Sequence, residues 1–371
     1  MEKALDAIVV GLGAMGSATA YQLAKRGRHV LGLDRHHPPH ALGSSHGETR
    51  VTRLAIGEGE AYSPLAIRSH EIWREIERET GERLLVECGG LIVSGAGSRA
   101  TCHVPGFFAN TLAAAKRFGI SHEILEAAAI RKRFPAFAVG DADVGYHEPS
   151  AGYVRPEACI AAQLALARAK GARLAFGETV LEIGERAGRA FVRTARATHE
   201  ASHVVVTAGP WLPGLLGPVW AGRFVVRRQV LHWFEPANAA DFMPGRFPVF
   251  IWELAGHAQP IYGFPVVPGG AGVKIATEQA DTATTPETVD RGVDPREGLA
   301  LFEAKVGRAF PGLTGRCLRS AACLYTMTAD SGFVIEPHPV FPLVLVASPC
   351  SGHGFKHSAA IGETLAARLE T

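Results

Sequence analysis

The stretch AIVVGLGAMGSATAYQLAKRGRHVLGLD, residues 7–34, decides the fold. Its apolar start, 7–10, predicts a buried strand, and the pattern G-x-G-x-x-G follows at once. A helical pattern and a second strand pattern at 29–33 complete a βαβ unit. In such a unit the helix N-terminus offers free N–H groups and a positive dipole end to a pyrophosphate. The stretch therefore predicts a dinucleotide-binding crossover.

Three glycines and one acid carry this prediction. Gly11 permits the tight turn, Gly13 lets the backbone approach the pyrophosphate, and Gly16 lets the helix pack closely on the strand. Asp34 lies where a carboxylate accepts a hydrogen bond from a ribose 2′-hydroxyl. An ordinary glycine-rich βα turn is the alternative, but strand, glycines, helix, second strand and acid all occur in order.

Composition limits the class of protein. The chain has 371 residues, of which 47% are hydrophobic and 20% charged, enough for about two domains with a large core. A net charge of +2 with dispersed basic residues argues against nucleic acid as a partner. No apolar run approaches the roughly 20 residues of a membrane span, and no secretory signal precedes the first strand. Six cysteines form neither a C-x-x-C pair nor a zinc-spaced cluster, so we expect no metal and a cytoplasmic location.

The rest of the chain shows two kinds of pattern. Buried strand patterns at 204–209 and 344–347 favour a return to the first sheet, whereas 224–275 alternates β-type residues in the manner of an antiparallel sheet. We predict an α/β fold in which a discontinuous Rossmann-like domain is built from 1–85, 150–215 and 325–371. A second, β-rich domain, 86–149 and 216–324, is expected to bind the substrate. Further predictions are a turn at 149–153 and helices at 61–81, 107–118, 156–170, 294–310 and 359–369.

Six motifs now stand in order, and together they carry a resemblance. The chain resembles the monomeric sarcosine oxidase and N-methyltryptophan oxidase family of flavoenzymes, which has the D-amino acid oxidase-like fold, and the likeness spans essentially the whole chain. The resemblance, not the periodicity, implies that the dinucleotide is FAD. The motifs are GLGAMG (11–16) with Asp34, GSSHGETRVTR (43–53), VVVTAGPW (204–211), YGFPVVPGGAGVK (262–274), CLYTMTAD (323–330) and SGHGFKHS (351–358).

The resemblance implies that FAD is attached covalently, through its 8α-methyl carbon, to the sulfur of Cys323. A thiolate is a suitable nucleophile toward that carbon, although most free cysteines are small buried apolar residues. The other residues implied in FAD binding are Gly11, Gly13, Ala14, Met15, Gly16, Asp34, Ser44, Ser45, His46, Thr49, Arg50, Val180, Gly352, Gly354, Phe355 and Lys356.

The catalytic residues implied by the resemblance are Lys274, Arg50, His46 and Tyr262. Lys274 matches the lysine above the flavin ring that stabilises negative charge as O2 is reduced. A lysine after a glycine-rich turn is otherwise usually a surface residue. Arg50 and His46 match positions close to the flavin.

For the substrate, Arg53 and Lys356 match the pair of cations that binds a carboxylate. Two converging cations repel each other unless an anion lies between them, so we expect an α-carboxylate there. Tyr325 matches an aromatic residue of the same pocket, as Tyr262 does. At Glu278 this sequence departs from the family pattern, because sarcosine-specific members carry a histidine four residues after the lysine. The turn that precedes Lys274 is also one residue longer here. Glu278 either pairs with a cationic group of the substrate or points away, and both changes put sarcosine itself in doubt.

The activity implied is oxidation of the C–N bond of an N-methyl α-amino acid by a monomeric enzyme. The imine product hydrolyses to formaldehyde and a primary amino acid, while O2 is reduced to H2O2. A cyclic imino acid, a glycated amino acid or a D-amino acid is the alternative substrate. The alternative from another class is a dinucleotide-binding protein without oxidase activity, or a dehydrogenase subunit.

Overall fold

The structure is a computed structural model, and it describes residues 4–95, 98, 102–270, 272–279 and 282–369. Ala271, in the glycine-rich motif 262–274, lies outside the described residues. The strands are β1 (Leu5–Val10), β2 (Val30–Asp34), β3 (Arg50–Thr52), β4 (Leu85–Glu87), β5 (Gly90–Ser94), β6 (Glu123–Glu126), β7 (Val144–Glu148), β8 (Gly152–Val154), β9 (Arg173–Phe176), β10 (Val180–Arg186), β11 (Arg189–Thr194), β12 (Thr198–Val206), β13 (Val225–Pro236), β14 (Val249–Glu253), β15 (Ile261–Phe264), β16 (Val273–Thr277), β17 (Leu313–Met327), β18 (Val334–Pro337) and β19 (Val344–Ser348).

Helices connect and flank these strands. Four 3₁₀ turns, Glu60–Tyr62, Gly209–Trp211, Ala239–Phe242 and Phe355–His357, and a π-helical turn, Phe302–Val306, accompany them. The α-helices are α1 (Ala14–Lys25), α2 (Ser63–Thr80), α3 (Phe107–Arg117), α4 (Ala127–Arg133), α5 (Pro156–Ala169), α6 (Leu212–Leu216), α7 (Pro218–Ala221), α8 (Pro295–Leu301), α9 (Gly307–Ala309) and α10 (Ser358–Arg368).

The first sheet is built around β1. Strand β1 pairs in parallel with β2 on one side and β12 on the other, and the parallel pairing continues to β9 and β19. Strands β10, β11 and β18 add antiparallel edges. The inner strands are apolar runs buried on both faces, as expected for a parallel sheet. The predicted α/β fold with a Rossmann-like first sheet is confirmed.

Close helix packing explains two of the glycines. Helix α1 packs between α5 and α10. A Cβ atom on Gly362 of α10 would lie 2.5 Å from the Cβ atom of Ala18, so only glycine lets the two helices approach this closely. Gly16 lets the start of α1 approach the β1–α1 turn in the same way, because an added Cβ atom would lie 1.8 Å from the carbonyl oxygen of Gly11.

The second sheet has the strand order β17-β13-β16-β15-β14-β5-β7-β6. Its pairs are antiparallel except for β5 and β14, which run parallel. An aromatic core, with Phe137, Phe247, Phe250 and Phe310 in mutual ring contact, packs against one face. The second, β-rich sheet was predicted correctly, whereas the exact domain boundaries stay a prediction.

Two local predictions need correction. The predicted turn at 149–153 is shorter, because Gly152–Val154 forms the central strand of a third sheet, β3-β8-β4. The predicted helix at 294–310 is interrupted, because Phe302–Val306 adopts a π-helical turn between α8 and α9. Among the described residues, no helix has the length and apolar character needed to cross a membrane.

Candidate active site

Two adjoining cavities lie where the sheets meet. The large cavity, about 650 Å³, runs along the carboxyl end of β1 and is lined by residues from β2, β10 and the 43–45 loop. The small cavity, about 80 Å³, lies against β15 and β16 of the second sheet. Four residues line both cavities and therefore mark their junction: Arg50, Tyr325, Gly352 and Phe355.

The β1–α1 turn forms one end of the large cavity. Gly11 has a φ of 86°, and a Cβ atom there would lie 2.7 Å from the carbonyl oxygen of Thr207. The N-terminus of α1 begins at Ala14, after Gly13. Its first N–H groups have no intrahelical acceptors, so they are available to an anion.

Asp34 lies beside this turn. Its Oδ2 accepts a hydrogen bond from the backbone N–H of Leu12 at 2.7 Å, and its Oδ1 accepts from His36 N–H at 2.8 Å. A carboxylate has about four acceptor positions, so two remain for a ligand hydroxyl. Other predicted residues that line the large cavity are Gly13, Ala14, Met15, Ser44, Ser45, Val180 and Gly354.

Arg50 and Cys323 meet at the junction of the two cavities. Arg50 Nη2 donates to the carbonyl oxygen of Ser44 at 2.7 Å and lies 3.6 Å from Cys323 Sγ. Burial raises the pKa of the Cys323 thiol, and the Arg50 charge opposes that shift. His46 is buried nearby, and burial together with Arg50 lowers its pKa to about 4, so its imidazole is neutral at pH 7. The structure thus brings three predicted site residues together.

Lys274 is fully enclosed beside the junction. Its Nζ donates to the carbonyl oxygens of Gly47 at 2.8 Å and Thr49 at 2.7 Å, and it lies 3.9 Å from the centre of the Phe264 ring. Burial lowers the pKa of Lys274 well below its usual value, and the Arg50 charge adds to the effect. Two carbonyl acceptors satisfy only two of the three N–H groups of an ammonium, which leaves one for a ligand.

The loop that holds Lys274 is itself supported by a carboxylate. Glu157, in the first turn of α5, accepts from the backbone N–H groups of Gly47 at 2.7 Å and Glu48 at 3.2 Å. Gly47 and Glu48 both have positive φ angles, 95° and 70°. For Glu48 this is a backbone conformation that residues other than glycine rarely adopt. Glu157 was not predicted from the sequence.

Arg53 and Lys356 converge, and a carboxylate lies between them. Arg53 Nη2 donates to Glu58 Oε2 at 2.7 Å, and Lys356 Nζ lies 3.5 Å from Glu58 Oε1. Burial alone would raise the pKa of Glu58, but Arg53 and Lys356 hold it well below its usual range. The protein itself therefore supplies an anion between the two cations. Repulsion between Arg53 and Lys356 does not by itself require a substrate α-carboxylate, contrary to the expectation from the sequence.

Arg53 nevertheless keeps unused donors. Its Nε and Nη1 are buried and have no hydrogen-bond partner among the described residues. Lys356 Nζ also donates to the carbonyl oxygen of His353 at 2.8 Å. Both cations line the small cavity, and buried donors of this kind need an acceptor.

The remaining predicted residues form the wall of the small cavity. The hydroxyl oxygens of Tyr262 and Tyr325 lie 3.2 Å apart. Glu278 Oε2 lies 3.8 Å from His103 Nε2, and His103 Nδ1 lies 3.5 Å from Glu58 Oε1. Burial would lower the pKa of His103, but Cys102, together with the two carboxylates, raises it well above 6.5.

Sequence reasoning missed Glu58, His103 and Glu157. None of the three belongs to a sequence motif that distinguishes a site residue from an ordinary charged residue. Their roles depend on contacts with residues far away in the chain, and only the tertiary structure brings these together.

Comparison with known proteins gives a consistent result. The family of FAD dependent oxidoreductases matches residues 6–368. A monomeric sarcosine oxidase of Streptomyces avermitilis is 40% identical over 369 residues, covering 99% of this chain and 94% of the relative. An N-methyl-L-tryptophan oxidase of Yersinia pestis is 33% identical over 363 residues, covering 97% and 94%. The solved structure of NikD, an unusual amino acid oxidase essential for nikkomycin biosynthesis, matches with a TM-score of 0.83 and 26% identity, covering 99% of this chain and 94% of that one.

Proposed function

This chain belongs to the family of FAD-dependent oxidoreductases, and from that premise we propose that it oxidises the C–N bond of an N-methyl α-amino acid. Water then hydrolyses the imine to formaldehyde and the primary amino acid, and O2 takes up the two electrons and two protons as H2O2. The relatives named as sarcosine and N-methyl-L-tryptophan oxidases support this class of substrate. The chain is accordingly an FAD-dependent amine oxidase.

The large cavity fits FAD in size and in chemistry. Its volume of about 650 Å³ lies within the range of ligand sites, and it extends from the β1–α1 turn to the junction with the small cavity. The hydroxyls of Ser44 and Ser348 line it and have no partner among the described residues. When bound, FAD supplies the electron acceptor for amine oxidation.

The observation that carries the proposal is the pair of unused donors on Arg53. The unpaired Nε and Nη1 of Arg53 can each donate a charge-assisted hydrogen bond to a carboxylate oxygen, and Lys356 also lines the small cavity as a second cation. These groups lie in the small cavity, which adjoins the large one at Arg50 and Tyr325. A substrate carboxylate bound there places the rest of an amino acid toward the junction of the cavities.

Two further roles belong to the proposal. Cys323 lies at the junction with Arg50 Nη2 3.6 Å from its sulfur, a position that supports covalent attachment of FAD. Lys274 is assigned the stabilisation of the negative charge that develops as O2 is reduced, because its Nζ is held in a buried position by two carbonyl oxygens. His46, neutral at pH 7, is assigned to hold the cofactor and not to act as a base.

The remaining predictions stay part of the proposal. We propose a monomer, as the names of the sarcosine oxidase relatives state for those proteins, with no nucleic acid or membrane as partner. A cytoplasmic location is a prediction from the sequence.

The test is a substrate profile of the purified protein, measured as peroxide release and O2 uptake. We expect N-methyl α-amino acids to be oxidised, and the matching amines without a carboxylate to be oxidised at least tenfold less efficiently, since charge-assisted contacts are worth about 1.5–3 kcal/mol. A preference for cyclic imino acids, glycated amino acids or D-amino acids would replace the proposed substrate. A yellow protein that consumes no O2 with any amine would contradict the oxidase assignment.

A further inference from the structure

One peptide group links Glu157 to Lys274. It is the peptide between Gly47 and Glu48, whose carbonyl oxygen accepts from Lys274 Nζ at 2.8 Å and whose N–H donates to Glu157 Oε1 at 3.2 Å. Glu157 Oε1 also accepts from the N–H of Gly47 at 2.7 Å. A peptide that donates to a carboxylate is polarised toward its oxygen, so its carbonyl group becomes a stronger acceptor for a cation. Glu157 therefore acts on Lys274 through two hydrogen bonds in series.

The conformation of this loop needs support. Gly47 and Glu48 have φ angles of 95° and 70°, and for Glu48 such a conformation persists only where the surrounding contacts hold it. Glu157 supplies two of these contacts, and Glu48 Oε2 accepts a third from Trp233 Nε1 at 3.0 Å. Loss of Glu157 would therefore release the backbone that positions Lys274 Nζ.

The two carboxylates near Lys274 are compensated unequally. Burial and the Arg50 charge lower the pKa of Lys274, and the carboxylates of Glu48 and Glu157 oppose that shift. Glu48 is paired with Arg319 at 2.6 Å, whereas the hydrogen-bond partners of Glu157 in the described part of the chain are backbone N–H groups. The charge of Glu157 is therefore left to act on the loop and on Lys274. The charged and titratable groups around Lys274 are Arg50 of β3, His46 and Glu48 of the loop, Glu157 of α5 and Cys323 of β17.

We propose that Glu157 is a positioning residue for the reduction of O2: acting through the Gly47–Glu48 peptide, it holds Lys274 Nζ in place and stabilises its ammonium form. O2 takes up two electrons from the reduced flavin and two protons to become H2O2, and the ammonium form of Lys274 stabilises the negative charge that develops on O2. Glu157 lines neither cavity, so we assign it no contact with substrate or flavin. This inference rests on the proposed function, because it assumes the role given there to Lys274.

Two variants separate the charge of Glu157 from its hydrogen bonds. Glu157→Gln keeps an oxygen that can accept from both N–H groups but removes the charge, whereas Glu157→Ala removes both. Glu77→Gln is the matched control, since Glu77 Oε1 also accepts from two consecutive backbone N–H groups, those of Leu84 at 2.7 Å and Leu85 at 2.9 Å, and Glu77 lines neither cavity. Lys274→Met identifies the pH dependence that belongs to Lys274.

The first measurement is reoxidation of the flavin by O2. The flavin of each variant is reduced by light without any amine, and its reoxidation is followed by stopped flow as a function of pH. The rate should fall as pH rises through the pKa of Lys274, because the ammonium form is lost. In Glu157→Gln the midpoint should move down by about one pH unit, because a charge that favours the ammonium form has been removed. Glu157→Ala should also react about tenfold more slowly at low pH, because Lys274 Nζ is no longer held in place.

The second measurement does not depend on turnover. The absorbance of the oxidised flavin, titrated with pH, should show the same midpoint in the unaltered protein and the same downward shift in Glu157→Gln. Lys274→Met should lack the inflection, and Glu77→Gln should leave it in place. If the unaltered protein has no inflection that Lys274→Met removes, the proposal is overturned, and that result needs no Glu157 variant to fold. A midpoint that stays in place in Glu157→Gln, or that moves equally in Glu77→Gln, overturns it as well.

Reduction by light separates this inference from the proposed function, because it needs no amine. If N-methyl amino acids are oxidised while the midpoint in Glu157→Gln is unchanged, the inference is wrong and the proposed function stands. If no amine is oxidised while reoxidation keeps its Glu157-dependent midpoint, the proposed substrate class is wrong and the inference stands.

Discussion

Arg53 donates a 2.7 Å hydrogen bond to Glu58, and both side chains are almost completely buried. Glu58 does not satisfy all the donors of Arg53, because Nε and Nη1 have no partner among the described residues. A buried ion pair gains little stability on average, since desolvation offsets the attraction. In this pair Glu58 offsets part of the positive charge of Arg53 and Lys356 and engages only Nη2 of Arg53.

Replacing Arg53 with methionine should weaken carboxylate binding. We expect the dissociation constant of hexanoate to rise by about tenfold to more than a hundredfold, since a charge-assisted contact is worth about 1.5–3 kcal/mol. Arg53→Lys should recover only part of the loss, because an ammonium lacks the several fixed, in-plane donors with which a guanidinium can contact Glu58 and a ligand together. Titration of the flavin spectrum measures both. Unchanged affinity in Arg53→Met would contradict the assignment.

Replacing Glu58 with glutamine should have two opposite effects. The free protein should unfold at a lower temperature, because loss of one partner from a buried ion pair costs about 3–5 kcal/mol. Hexanoate should bind more tightly, because its carboxylate replaces the lost charge beside Arg53 and Lys356. Glu253→Gln serves as the control, since Glu253 is a buried carboxylate on β14 that lines neither cavity. Weaker hexanoate binding by Glu58→Gln would show that Glu58 orients the cations more than it competes for them.

The affinity for carboxylates should depend on pH through Lys356. Burial lowers the pKa of Lys356 to about 8, with Arg53 adding to the shift and Glu58 opposing it. Lys356 is therefore charged below pH 8 and neutral above it, so the affinity for hexanoate should fall as pH rises through about 8. Lys356→Met should bind hexanoate weakly and without this inflection. An inflection that persists in the variant would assign the titration to another group.

The parts of the site that could be predicted are those encoded locally. The β1–α1 turn contains Gly11, Gly13 and Gly16 within a few residues, and a Cβ atom on Gly11 or Gly16 would clash with backbone oxygens at 2.7 and 1.8 Å. The third sheet was missed because two of its strands, β3 and β8, are three residues long, too short for a period of two to be visible. Length, not composition, limited that prediction.

The parts that could not be predicted are contacts between distant segments. Glu58 and Lys356 are 298 residues apart, and Gly47 and Glu157 are 110 apart. Neither carboxylate shows a periodic pattern or a motif that distinguishes it from a surface charge. The identity of the anion between Arg53 and Lys356 could therefore be decided only by the fold.

Covalent attachment of FAD at Cys323 has a direct test. The intact mass of the purified protein should exceed that of the chain by one FAD, and the colour should precipitate with the protein in acid. Cys323→Ala should release the flavin into the supernatant. Cys350→Ala is the matched control, because Cys350 lines the large cavity and should leave the adduct intact. Flavin that stays entirely in the supernatant with the unaltered protein would disprove the attachment.

Replacing Lys274 with methionine should slow the reaction of the reduced enzyme with O2 far more than reduction of the enzyme by its substrate. The Nζ atom of Lys274 is held by the carbonyl oxygens of Gly47 and Thr49, so it is in position before the reaction begins. Loss of one preorganised charge-stabilising group costs about 3–4 kcal/mol, or about 10²–10³ in rate. Stopped-flow measurement of the two half-reactions separates them. Lys305→Met is the control, because Lys305 also donates to a carbonyl oxygen, that of Gln259, but lines neither cavity. Lys274→Met could slow both half-reactions equally, or it could have the same effect as Lys305→Met. Either result would mean that Lys274 supports the structure of the site and does not stabilise the charge that develops during O2 reduction.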